Sequence, residues 1–155
     1  HKKKGRDRVR TLIVLPLSIL DQWEKEIHKF APNKFTTLQY HGQSRKKYGN
    51  SKKNRKIFAQ VDIILTTYGT LSSEFNRGDD EHQGLLYQVP VGFFYRMVLD
   101  EAHLIKNYNS QCAKAAHDIS PRVTTRWCLT GTPIQNSLID LYSPCKFLGI
   151  KDCFQ

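Results

Sequence analysis

Met97-Val98-Leu99-Asp100-Glu101-Ala102-His103 is the stretch that decides the fold: an apolar run of strand length ends in two adjacent carboxylates and a histidine. A short apolar run bounded by polar residues reads as a strand buried on both faces. A carboxylate delivered to the carboxyl end of such a strand is placed to hold a magnesium ion that carries nucleotide phosphates. Taken alone, an Asp-Glu pair is more often a solvated turn after a strand, so its meaning comes from the sequence around it. Downstream, Leu129-Thr130-Gly131-Thr132-Pro133 places two hydroxyls around a glycine after a second apolar run.

Working outward, residues 11–15 form a short apolar strand stopped by Pro16, and Ser18 offers an N-cap hydroxyl with Asp21 three residues on. Leu20, Trp23, Ile27 and Phe30 recur at helical spacing, which predicts a helix over 19–30 with Trp23 on its packing face. Residues 36–40 alternate like a strand, and a helical turn is expected near 55–60. Further strands are predicted at 62–66, 95–99 and 125–129. Helices are predicted at 68–75, 110–119 and 136–148, the last kinked or split by Pro144. The polar stretch 76–90 reads as a surface loop.

Strands alternating with helices predict an α/β fold with a doubly wound, mostly parallel sheet. In such sheets ligands gather beyond the carboxyl ends of the strands. Pro16, Thr66, Asp100 and Thr130 all fall at predicted carboxyl ends, so residues distant in sequence are expected along one sheet edge.

The 155 residues suffice for one domain, and no apolar run approaches membrane-spanning length. The net charge of +10 is concentrated in two short runs. Residues 1–10 carry six Lys/Arg against one Asp, and residues 45–56 carry seven Lys/Arg and no acid, leaving eleven basic and thirteen acidic residues elsewhere. The runs read either as solvated surface segments or as a phosphate-attracting fringe or nuclear-import patch. Tyr48 is their one aromatic residue, which argues against a base-stacking platform. Cys112, Cys128, Cys145 and Cys153 lack C-x-x-C spacing and are expected as reduced thiols. There is no G-x-S-x-G, H-E-x-x-H or H-x-E…P-C-x-x-C pattern.

Four segments, TLIVLPLSILDQW (11–23), DIILTTYGTL (62–71), MVLDEAHLIKN (97–107) and CLTGTPIQNSLIDLY (128–142), occur in an order that resembles the first recombinase-like lobe of the Swi/Snf-type ATPases, the chromatin-remodelling and DNA-translocase branch of helicase superfamily two. VGFFYRMVLDEAH (91–103) leans toward the post-replication-repair subgroup. The resemblance implies that Asp100 holds Mg2+ of MgATP through a coordinated water and that Glu101 positions or deprotonates the attacking water. It implies that His103, Thr130, Gly131, Thr132 and Gln135 couple the nucleotide to DNA, with Asn136 continuing that motif. Pro16 and Ser18, then Thr66, Thr67 and Tyr68, match its two DNA-backbone motifs, and Lys106 and Asn107 are expected to reach nucleic acid as well. Capping for Ser18 and strand propensity for Thr66 explain those residues equally simply.

No G-x-x-x-x-G-K-[ST] phosphate loop occurs, so the cradle for the β- and γ-phosphates is not among these residues. In the family that loop precedes the first strand seen here and a second lobe with an arginine finger follows. The expected organisation is a basic flexible connector at 1–10, a partial ATP-binding lobe at 11–150 and a tail at 151–155, with a basic insertion at 45–56 and the polar loop at 76–90. The implied function is part of the ATP-hydrolysing lobe of a nuclear, DNA-dependent ATPase or translocase in chromatin remodelling or DNA repair. It would use ATP and Mg2+, contact duplex backbone without sequence readout, work beside chromatin or repair proteins, and have no membrane role. The alternative is a non-catalytic DNA- or partner-binding module that has lost the phosphate loop.

Overall fold

The computed structural model describes residues 9–43, 45, 56–75, 84–134 and 136–150. Five strands form one sheet: β1 (Thr11–Leu15), β2 (Thr37–Tyr40), β3 (Ile63–Thr67), β4 (Arg96–Asp100) and β5 (Thr125–Leu129), in the order β2-β3-β1-β4-β5. Every pairing is parallel, with Leu15 opposite Thr67, Val14 opposite Leu99, and Asp100 opposite Leu129. The described helices are α1 (Leu20–Phe30), α2 (Tyr68–Phe75), α3 (Leu85–Gln88), α4 (Gln111–Ile119) and α5 (Tyr142–Leu148), with 3₁₀ turns at Leu17–Ile19, Ala102–Ile105, Ser120–Arg122 and Leu138–Leu141. The predicted α/β class and parallel sheet are both observed. Among the described residues no helix is long and apolar enough to cross a membrane.

Successive strand residues point to opposite faces, and both faces of the central strands are apolar. Leu12 and Val14 of β1, Ile64 of β3, and Met97 and Leu99 of β4 pack with Leu71 of α2, Ala113 and Ala116 of α4 and Phe147 of α5. The alternate residues, Ile13, Leu15, Leu65 and Val98, meet Leu20, Trp23 and Ile27 of α1. That second face is the thinner one. It leaves a groove of about 540 Å³ whose lining includes Ile27, Phe35 and Trp127, the last 53% exposed on the edge strand β5.

Several expected elements are corrected. The loop predicted at 76–90 contains α3, whose Leu85, Leu86 and Tyr87 are buried, while residues 76–83 lie outside the described residues. Gly84 permits this docking, because a Cβ there would lie 2.2 Å from the Glu74 side chain. Glu74 is itself buried, accepting from Tyr40 Oη at 2.6 Å and Leu86 N at 3.0 Å. Ser18 is not an N-cap: it lies inside the 3₁₀ turn Leu17–Ile19, and α1 begins without a side-chain cap, with Asp21 in its first turn. The helix predicted over 136–148 is a 3₁₀ turn followed by α5. Pro144 sits in the first turn of α5, where its missing N–H costs nothing, and Gly149 in left-handed conformation ends the helix.

Arg10, assigned to the flexible connector, is held in place: its guanidinium donates to Ala59 O at 2.9 Å and stacks 4.5 Å from the Phe93 ring centroid. The rest of that connector, apart from Val9, lies outside the described residues, as do most of the basic insertion and the tail 151–155. Residues 56–58 are helical, as predicted for that turn.

Candidate functional site

Because all five strands run parallel, their carboxyl ends share one edge. Pro16 follows β1, Asp100 closes β4 and Thr130 follows β5, while β3 runs one residue past the expected Thr66 and ends at Thr67. The convergence predicted from strand lengths is therefore present.

The Asp100 carboxylate, half-buried, is fixed at both oxygens. Glu101 N donates to Oδ1 at 2.9 Å, and Trp23 Nε1 donates to Oδ2 at 2.7 Å. The main-chain carbonyl of Asp100 accepts from Tyr68 Oη at 2.7 Å. Burial, together with Cys128 and the neighbouring carboxylates, pushes the Tyr68 hydroxyl well above its usual range, so it remains a donor at any physiological pH. The chain then turns sharply. Glu101 adopts a left-handed backbone, φ 52° and ψ 48°, a conformation that non-glycine residues seldom occupy. This corner swings the Glu101 side chain beside His103, whose Nδ1 lies 3.2 Å from Glu101 Oε2. The same Nδ1 is 3.4 Å from Thr130 Oγ1, which accepts from Thr132 N at 3.2 Å. Glu101, His103 and Thr130 thus form a continuous polar chain from β4 to β5. Gly131 is exposed with open space where a Cβ would sit, and Gln135 lies outside the described residues.

The donor set suits magnesium. No group of three or more His, Cys, Asp or Glu side chains that could cage a metal occurs among the described residues. A magnesium ion that keeps its waters and takes its other ligands from phosphates needs only one or two protein carboxylates. Asp100 supplies one, with lone pairs beyond the two already engaged. A cleft of about 350 Å³ opens at this point, lined by Ile19, Gln22, Trp23, Glu26 and Asp100.

The residues matched to DNA-backbone motifs divide into two groups. Ser18 and Asn107 are exposed, and Lys106 and Pro16 are half-exposed. Thr66 and Tyr68 are not surface groups, which corrects the expectation that their side chains meet DNA. Thr66 is 0% exposed and gives its hydroxyl to Tyr40 O at 2.7 Å, while Tyr68 is 6% exposed beneath Asp100. Thr67, half-buried, accepts from Thr70 N at 3.1 Å and so caps α2. Trp23, expected to be a packing residue, also bonds the proposed magnesium ligand. Its helical spacing concealed this, since spacing carries no information about where an indole N–H points.

Comparison with known proteins places this geometry. A family model described as the SNF2-related domain matches residues 1–154. The chain belongs to this family. It is 45% identical over 142 residues to the DNA repair protein RAD5A of Arabidopsis thaliana, covering 90% of this chain and 13% of that protein. It is 42% identical over 145 residues to the DNA repair protein rad8 of Schizosaccharomyces pombe, covering 89% and 12%. Among solved structures, the Sulfolobus solfataricus SWI2/SNF2 ATPase core in complex with dsDNA superposes with a TM-score of 0.66 at 32% identity, over 92% of this chain and 25% of that chain. The chain therefore spans about an eighth of the length of these curated relatives, and its fold is that of an SWI2/SNF2 ATPase core lobe. The relatives support the leaning toward the post-replication-repair subgroup.

Proposed function

We propose that this chain supplies the magnesium-holding and water-activating part of an ATP-hydrolysing lobe in a DNA-dependent translocase of DNA repair. The observation that carries the reading is the polar chain Glu101–His103–Thr130, which joins the carboxyl end of β4 to that of β5. Asp100 would hold the magnesium of MgATP through a water, and that ion would neutralise charge on the phosphates. Glu101 would position or deprotonate the attacking water. Hydrolysis changes what Glu101 faces, His103 passes that change to Thr130, and the Thr130–Thr132 turn responds.

Duplex DNA would meet the rim of strand ends through its backbone. Ser18, Lys106 and Asn107 are the accessible donors, and backbone contacts position a protein without reading bases. The solved relative in complex with double-stranded DNA supports this partner, and the DNA repair relatives support a role in repair. A non-catalytic binding module would have no use for a polar chain linking a water-activating carboxylate to the next strand, so that alternative is not favoured.

The test uses the gene product that contains this chain. Thr130→Ala combined with Thr132→Ala is expected to leave measurable ATP hydrolysis while movement along duplex DNA is abolished. Equal impairment of both activities would mean a defective strand-to-helix turn and would sink the coupling reading.

A further inference from the structure

We infer that Trp23 is a positioning residue for Asp100: its indole N–H, carried on α1, fixes the carboxylate in the orientation that receives the metal. The inference rests on the reading of Asp100 as the magnesium ligand and extends it to a residue 77 positions away in sequence.

An aspartate carboxylate at the end of a strand can turn about its own side-chain bonds. Here that freedom is removed at both oxygens, and the main chain beside them is held as well. Glu101 N holds Oδ1, Tyr68 Oη holds the main-chain carbonyl, and Trp23 Nε1 holds Oδ2 at 2.7 Å. The first is local to the turn, and the second fixes only the backbone. Among the described residues, Trp23 alone reaches the carboxylate from a separate element. An indole nitrogen donates and never accepts, so this bond has one polarity and takes a single lone pair of Oδ2, leaving the others for a ligand. The ring is itself held, packed with Ile19 and Ile27 against Leu15 and Leu65, so its N–H is aimed by the smaller core. Groups that orient a metal ligand commonly change metal affinity 10–100-fold when removed.

The placement of α1 gives the bond a second consequence. The helix starts directly after the Pro16–Ile19 turn, where the exposed Ser18 stands at the proposed DNA rim. Trp23 therefore ties the Asp100 carboxylate to the helix that follows that turn. Tyr68, at the start of α2, holds the Asp100 main-chain carbonyl from the side of β3. The metal ligand is therefore braced by both segments that resemble DNA-backbone motifs.

The test measures Mn2+ binding, by electron paramagnetic resonance, to the gene product that contains this chain, loaded with a non-hydrolysable ATP analogue. Trp23→Phe keeps an aromatic ring and deletes the N–H. Replacement of Trp23 by β-(3-benzothienyl)alanine keeps the full bicyclic shape and puts sulfur where the N–H stood, which separates hydrogen bonding from packing. Both are expected to weaken Mn2+ binding about tenfold, with the thermal midpoint of the benzothienyl variant matching that of the parent. Parent-like Mn2+ affinity in the benzothienyl variant overturns the inference, because the ring would then serve packing alone. Asp100→Asn serves as the separate control. If it fails to weaken Mn2+ binding, the magnesium-ligand reading itself falls, whereas weakening by Asp100→Asn without weakening by the benzothienyl variant removes only the role of Trp23.

Discussion

The carboxyl ends of β3 and β4 lie on the same edge of the same sheet, yet they use their polar groups in opposite ways. At β4 the side chains of Asp100, Glu101 and His103 are half-exposed, and those of Glu101 and His103 meet at 3.2 Å. At β3 the hydroxyls of Thr66, Thr67 and Tyr68 are committed to Tyr40 O, the start of α2 and Asp100 O. One end presents chemistry to solvent, and the other braces it from below. Residues matched by motif alone look equivalent at the two ends. Burial separates those open to solvent from those engaged within the fold.

The largest test of this contrast is at β4. In the gene product that contains this chain, Glu101→Gln keeps the size of the side chain and removes its basicity. Turnover is expected to fall about 10²–10⁴-fold, the range for removal of a general base, while ATP binding and thermal midpoint hold. Near-normal hydrolysis would remove Glu101 as the water-activating group and make the two strand ends alike.

At β3 the expected effect is on stability. Thr66→Val keeps the shape and leaves the buried Tyr40 carbonyl without its hydroxyl donor, at a cost of about 1–3 kcal/mol in chemical denaturation. DNA affinity should stay at the parent value. A drop in affinity with unchanged stability would show that Thr66 faces DNA after all.

Smaller effects sharpen the boundary at the rim. Ser18→Ala should weaken duplex binding equally on every sequence, by about fivefold, the scale of one hydrogen bond. Neutralising Lys52, Lys53, Arg55 and Lys56 should instead flatten the salt dependence, by about 0.9 in log–log slope for each phosphate that the chain no longer neutralises. A sequence-dependent weakening from Ser18→Ala, read in a binding titration over several duplexes, would contradict backbone recognition.

The smallest effect lies away from the rim. Burial lowers the pKa of His117 below its ordinary 6.5, and nearby Lys146 adds to this, against an opposing hydrogen bond to Ser143 O. Below pH 6.5 the unfolded chain therefore takes up a proton that the folded chain resists, so stability is lost as the pH is lowered through that window. His117→Gln should flatten that slope when denaturation midpoints are compared from pH 7.5 to 5.5. A slope unchanged by the substitution would place the proton uptake elsewhere.

Much of this architecture is legible in the sequence. Apolar runs of strand length separated by helical periodicity specify the parallel sheet, since a buried strand and an amphipathic helix each leave a distinct spacing. The convergence at the strand ends then follows from topology. What spacing does not supply is direction and local competition. Leu85-Leu86-Tyr87-Gln88 is too short to show a helical period, and its polar flank masks a buried turn. The Ser18 hydroxyl has the chemistry of a cap, but the chain uses a 3₁₀ turn in its place. Trp23 and Tyr68 each read as having one role, and the N–H and O–H that give them another are invisible to a pattern of apolar positions. Cys112, Cys128 and Cys145 stand as thiols, as their spacing implies, with burial pushing Cys128 up to about 12.

The left-handed corner at Glu101 sets two selective pressures against each other. A glycine there would relieve the steric cost that a Cβ meets in this region, and asparagine tolerates it better than glutamate does. Drift toward stability alone would therefore erode the carboxylate. Backbone stability alone does not select a glutamate at such a corner, and if Glu101 activates water as proposed, a lineage freed from hydrolysing nucleotide would be expected to lose this residue early while its sheet remained intact.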